Sequence, residues 1–319
     1  MKKKVFIVLT NILLLVVAAG LIEFFSYLKY DHDIKYILNE YRSVDEGLKL
    51  EYLVPLRFDI EIFRKWFKDR TDYSDKQGIL ILGSSYVAGT RLADEQTFDY
   101  KLHKVTKRPT YRRATPGGGP QYAYYMFQSG LLEKEVPNVK YVVFVYNPEH
   151  IFMLDSFQVS PVYPVVNLRY KVKDGELIQT ESVFYDFYSL FSVRNMQSLI
   201  EKISFEKMQR ENKIYDNFNV MIKAIVERSK ELYPDSEFVF LVYPAHKSTF
   251  PRYANPKDFD LPTSEIEYLK SLGCKVVDLN ALIGGDLDAP KYKSDDKSHP
   301  SAKVWEEVVP ALIKNKIIN

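Results

Sequence analysis

Four short runs, Ile79–Leu82, Tyr141–Tyr146, Phe238–Tyr243 and Lys275–Leu279, are nearly continuous in Val, Ile, Leu, Phe or Tyr. Strands buried on both faces read this way, whereas strands with one wet face alternate. Between them lie helical stretches, Phe98–Thr106, Gln121–Leu132, Val193–Tyr233, Thr263–Leu272 and Ser301–Lys316, and a further strand is expected around Thr110–Ala114. Strand and helix in alternation imply an α/β fold, a parallel β-sheet flanked by helices. Chemistry in such sheets gathers beyond the carboxyl ends of the strands. Ser85, Asn147, Tyr243 and the loop after Leu279 are therefore expected at one edge.

Composition narrows the function classes. The chain has 319 residues, 46% of them hydrophobic, enough for one large core or two modest ones. A net charge of +2 without clustered positives argues against nucleic acid as a partner. Arg108, Arg112 and Arg113 form one basic knot, either a solvated turn or an anion site. Cys274 is the single cysteine, which excludes an intramolecular disulfide and a cysteine metal cluster; its apolar run marks it as a packed small hydrophobe. The histidines lack metal-ligand spacing; His32 and His103 are expected at the surface or beside the membrane, His246 follows a strand and could line the same edge, and His150 closely follows Asn147. The glycine run Gly117-Gly118-Gly119 lacks both dinucleotide spacing and a phosphate-loop lysine, so no metal and no cofactor is expected.

The N-terminus has its own signal. Lys2-Lys3-Lys4 precede an apolar run from Val5 to Ile22, near the minimum length that spans roughly 30 Å of hydrocarbon. The lysines would stay in the cytoplasm and place the body of the protein outside. Val17-Ala18-Ala19 resembles a cleavage site of a removable signal peptide. The apolar run continues into Phe24, Phe25, Tyr27 and Leu28, an interfacial cluster that favours an uncleaved anchor. The expected plan is an anchor over 1–28, a helical juxtamembrane segment over 29–77 and a catalytic domain over 78–319. Within 29–77, Asp59–Asp69 is expected to be an amphipathic helix carrying Ile60, Phe63, Trp66 and Phe67. An aromatic-rich insertion at about 150–192 breaks the alternation, with a hairpin of Leu168–Val172 and Leu177–Thr180 around Asp174-Gly175. Its aromatics suit either sugar stacking or a lid's own small core.

Two segments carry chemistry. Ile79–Leu82 runs into Gly83-Ser84-Ser85, and near the other end stands Asp296-Lys297-Ser298-His299-Pro300. A serine is a weak nucleophile that needs an adjacent base, itself oriented by a third group. Ser85 lies where the next helix begins and is the candidate nucleophile. His299 is the candidate base, kept out of a helix by Pro300, and Ser301 suits the N-cap of the last helix. Asp296, three residues back, can accept from the imidazole N–H. Without the serine turn the acidic loop would read as a solvated turn, and the serine turn alone as a helix cap. Backbone N–H groups of the glycine run and the Asn147 side chain are candidate oxyanion donors.

These four segments together resemble the SGNH/GDSL hydrolase family, from about Gly78 to the C-terminus. Gly83-Ser84-Ser85 stands where that family has Gly-Asp-Ser, so the resemblance puts the nucleophile on Ser85 and Ser84 in place of the acid. It likewise implies an oxyanion hole from Gly117, with Gly118 the alternative, and Asn147. Asp296 and His299 match the family's Asp-x-x-His. Thr90–Asp99, with Glu95-Gln96-Thr97-Phe98, extends the likeness. The implied fold is a flavodoxin-like three-layer sandwich behind one transmembrane helix. Membrane-anchored members of this kind modify cell-envelope polysaccharides. That implies an extracytoplasmic esterase or O-acetyltransferase on a glycan ester, sometimes beside a membrane-bound O-acyltransferase. The rival is a catalytically inactive scaffold or glycan-binding protein, and the departures at Ser84 and around Asn147 point its way.

Overall fold

The computed structural model describes residues 66–73, 75–116, 118–148, 150–151, 169–173, 176–180, 215–244, 261–297 and 299–319. The expected anchor over 1–28, the expected helix as far as residue 65, most of the insertion, His32 and His246 lie outside them. Among the described residues no helix is long and apolar enough to cross a membrane.

Six strands, β1 (Lys68–Arg70), β2 (Gly78–Gly83), β3 (Thr110–Ala114), β4 (Val139–Tyr146), β7 (Glu237–Val242) and β8 (Lys275–Asp278), form one sheet in the order β1-β3-β2-β4-β7-β8. All neighbours run parallel except β1, which is antiparallel to β3. Setting β1 aside, the parallel strands have the 2-1-3-4-5 order of flavodoxin-like sheets, and the strand order reverses between β2 and β4. A separate hairpin, β5 (Arg169–Lys173) and β6 (Glu176–Thr180), lies within the expected insertion, within one residue of the expected bounds of each strand.

The helices are α1 (Ser85–Ala88), α2 (Phe98–Thr106), α3 (Pro120–Gln128), α4 (Leu131–Glu135), α5 (Asp216–Leu232), α6 (Thr263–Ser271), α7 (Leu279–Ile283) and α8 (Ala302–Lys314). The single helix expected over Gln121–Leu132 is two, because Gly130 turns left-handed at φ 70° between them. Period-two alternation sends the strand residues to opposite faces. Ile79, Ile81, Val143, Val145, Val239 and Leu241 bury against Phe98 and Leu102 of α2 and Trp305, Val308 and Leu312 of α8. On the other face Phe144 stacks on Phe240 at 5.4 Å, and Phe218 of α5 meets Phe240 edge-on. The result is three layers with the sheet in the middle.

The end of the expected helix Asp59–Asp69 is instead the edge strand β1. The reason is ionic. Alternation along β1 turns Asp69 to one face, where it accepts from Arg113 at 2.5 Å, and Arg70 to the other. Arg70 donates to the fully buried Asp99 at 2.7 Å and to Asp94, and Arg112 donates to Asp99 at 2.8 Å. Arg108 donates to the carbonyls of Gln77 and Asn319. The basic knot therefore fastens β1, β3 and the C-terminus. His103, expected at the surface, is buried; its Nδ1 lies 2.8 Å from the Arg108 carbonyl. Cys274 is buried just before β8, and burial pushes its thiol up to about 12.

Candidate active site

Gly83 ends β2 with φ 149°. A Cβ there would meet Val87 Cγ2 at 2.8 Å and the Val145 carbonyl oxygen at 3.0 Å, so no larger residue fits. Ser84 caps α1 in an extended conformation, and its carbonyl accepts from the N–H groups of Val87 and Ala88. Ser85 is the first residue of α1. Both serines are buried, at 1% and 8% exposure. Gly89 closes α1 at φ 83°, where a Cβ would stand 2.6 Å from Thr97 Cγ2. The serine turn is thus clamped at both ends by glycines that other residues cannot replace.

At the other end of the chain, the Asp296–His299 loop closes on itself. His299 Nδ1 lies 2.6 Å from Asp296 Oδ2. Asp296 Oδ1 accepts from the His299 backbone N–H at 3.0 Å and from the Ser294 hydroxyl at 2.7 Å. Ser294 N–H donates to the His299 carbonyl, and Ser301 N–H to that of Tyr292, which stitches the loop across its base. Lys297 takes φ 61° to make the turn. A carboxylate only accepts, so Nδ1 carries a proton, and in the neutral form of the ring the basic lone pair is on Nε2. Both side chains are partly exposed, 19% for His299 and 25% for Asp296.

The serine turn and the acid–histidine loop converge. The ring of Tyr86, the residue after Ser85, meets the His299 ring edge-on with centroids 6.0 Å apart, and Tyr86 also packs edge-on against Tyr243 at 5.0 Å. Arg91, just past α1, brings Nε within 3.7 Å of Asp296 Oδ2. Two contacts therefore join the serine turn to the acid–histidine loop. Neither Tyr86 nor Arg91 was singled out by the sequence; their only signal was proximity to Ser85.

Asn147 follows β4 at the same edge and is 1% exposed. Its Nδ2 donates to Ser84 Oγ at 3.0 Å, which engages one of two amide N–H groups on the serine turn. Gly117 lies outside the described residues. Gly118 N–H donates to the Thr115 carbonyl at 2.9 Å, so it is engaged within its own loop. A Cβ on Gly118 would meet Thr115 Oγ1 at 2.5 Å and stand 3.3 Å from the Gly83 carbonyl oxygen, so glycine is needed where this loop passes the serine turn. Ser301 takes the expected N-cap position of α8, but its hydroxyl donates to the Lys291 carbonyl instead of capping.

No family model matches the chain, and no curated protein does. Solved structures that it is similar to include the psychrotrophic esterase EstA from Pseudoalteromonas sp., at 16% identity and TM-score 0.40, covering 76% of this chain and 100% of that one. A variant of Axe2, an acetyl-xylooligosaccharide esterase from Geobacillus, matches at 10% identity and TM-score 0.44, covering 77% and 97%. TesA matches at 13% and 0.42, covering 75% and 97%. At these values the matches bear on neither substrate nor residue roles.

Proposed function

We propose that the protein is a serine-dependent esterase or O-acyltransferase whose nucleophile is Ser85, base His299 and orienting acid Asp296. The observation that carries this is the 2.6 Å Asp296–His299 contact on a loop whose imidazole meets the ring of the residue after Ser85. The Nδ1–H tautomer fixed by Asp296 is the one that leaves Nε2 to act as base.

In this reading Ser85 Oγ forms a bond to the acyl carbon while its proton passes to His299 Nε2. The tetrahedral oxyanion is held by N–H donors from Ser85, the Asn147 carboxamide and Gly117. Collapse breaks the bond to the alcohol, which leaves with the proton from His299. Water, or a sugar hydroxyl, then gives its proton to His299 and takes the acyl group from Ser85, and His299 passes that proton to the departing Ser85 Oγ. Water makes the protein an esterase and a sugar hydroxyl a transferase.

The substrate we favour is an O-acylated cell-envelope glycan, reached from a membrane anchor over 1–28 outside the cytoplasm, with a membrane-bound O-acyltransferase as partner. The lysine-flanked apolar run supports that placement. A serine-directed phosphonylating probe tests the chemistry. Labelling is expected in the full chain, lost in Ser85→Ala and His299→Ala and kept in Ser298→Ala. Labelling that survives Ser85→Ala would defeat the assignment, and a chain that binds glycan without labelling would be the inactive scaffold.

A further inference from the structure

A second histidine stands beside Asn147 and has no part in the mechanism above. His150 lies just beyond β4, has no exposed surface, and packs edge-on against Phe144 at 5.5 Å and Tyr146 at 5.7 Å. Its backbone N–H donates to the Asn147 carbonyl at 3.0 Å, and its Nδ1 accepts from the Asn147 N–H at 3.4 Å. An accepting Nδ1 leaves the ring proton on Nε2. That Nε2 has no hydrogen-bond partner among the described residues. A buried donor without an acceptor is a cost to the fold that an apolar side chain would remove. Among the described residues, only the Nδ1 contact distinguishes histidine from leucine or phenylalanine in this pocket walled by aromatic rings. That contact lands on the residue whose carboxamide donates to Ser84 Oγ.

We propose that His150 is a positioning residue of the serine site: its neutral ring pins the Asn147 turn, and so aims the Asn147 carboxamide at the Ser84-Ser85 turn. This rests on Ser85 being the nucleophile. The series runs from the ring (Nδ1) to the Asn147 backbone, then from the Asn147 side chain to Ser84, the residue before the nucleophile. His150 itself touches no reacting atom, so its removal should lower turnover without loosening substrate binding.

The test uses the full chain, p-nitrophenyl acetate and the phosphonylating probe. In His150→Leu, kcat is expected to fall about tenfold to a hundredfold, short of the 10²–10³ lost with a whole oxyanion donor. KM should stay within about twofold and the melting temperature should hold or rise. His150→Asn, whose Oδ1 takes the place of Nδ1, should recover most of kcat; His150→Gln, which reaches toward the Nε2 position, should not. In an Asn147→Ala background, His150→Leu should add less than about twofold, because both changes break one series. Unchanged kcat in His150→Leu, equal activity in the Asn and Gln variants, or fully additive losses would each overturn the proposal. If His150→Leu does not fold, the Asn and Gln pair decides. An unlabelled wild-type Ser85 would instead defeat the nucleophile assignment, and this proposal would fall with it.

Discussion

Asn147-x-x-His150 and Asp296-x-x-His299 share a spacing, and in both the histidine Nδ1 turns back to the residue three before it. The chemistry that results is opposite. At His150 the partner is a backbone N–H, so Nδ1 accepts and the proton sits on Nε2. At His299 the partner is a carboxylate, so Nδ1 donates and Nε2 is the nitrogen that holds the lone pair when the ring is neutral. His150 has no exposure and, among the described residues, no acceptor for its Nε2 proton, whereas His299 is a fifth exposed with its acid paired. One motif therefore yields a fixed neutral wedge in one place and a candidate base in the other. What differs is the atom type of the partner and the access of water.

The contrast breaks first if both histidines behave alike. His299→Ala is expected to lower p-nitrophenyl acetate turnover by about 10⁴-fold or more, as loss of a base does in serine enzymes. The melting temperature should move by no more than about 2 °C, since the side chain is partly solvated. Turnover assays and calorimetry on the same sample check both halves. An intact rate would remove the distinction.

A second comparison asks whether burial or pairing sets the cost of a polar group. Asp99 is as buried as His150 but is held by Arg70 and Arg112. Asp99→Asn leaves two guanidinium groups short of their countercharge and is expected to cost about 3–5 kcal/mol in urea unfolding. A loss below about 1 kcal/mol would mean that the network relaxes into water.

Acid sharpens the comparison next. Burial pushes His150 down to about 3, while an unfolded chain would hold its histidine near 6.5. Between those values the unfolded state binds a proton that the native state refuses. Stability should therefore fall as pH drops below about 6.5, by up to about 1.4 kcal/mol per unit, until about pH 3. By pH 5 the loss is about 2 kcal/mol. His150→Leu should flatten that slope in denaturant titrations at stepped pH, and His299→Ala should not. The smallest effect belongs to Lys297, held at φ 61° in the His299 turn. Lys297→Gly is expected to gain under about 1 kcal/mol with labelling unchanged.

Much of the frame was legible in sequence. Continuous apolar runs marked β2, β4, β7 and β8 to within two residues, and α2 fell on its expected bounds, because both-face burial and helical spacing are local statistics. The serine turn and the acid–histidine loop could likewise be named from their residues. The edge strand β1 could not. Lys68-Asp69-Arg70 has no apolar pattern at all, and extends only because Asp94, Asp99 and Arg113 wait on either side. The setting of His150 is illegible for the same reason: nothing in Asn147-Pro148-Glu149-His150 says that its ring will be sealed between Phe144 and Tyr146.

The amino-acid order alone thus determined which segments extend, which coil and which carry reactive groups, since these follow from side-chain size, branching and polarity along a few residues. Only the tertiary structure decided the strand order, the convergence of Tyr86 with His299 from opposite ends of the chain, and which imidazole nitrogen bears a proton. Those depend on partners far apart in sequence, whose distances and desolvation exist only once the sheet has closed its layers.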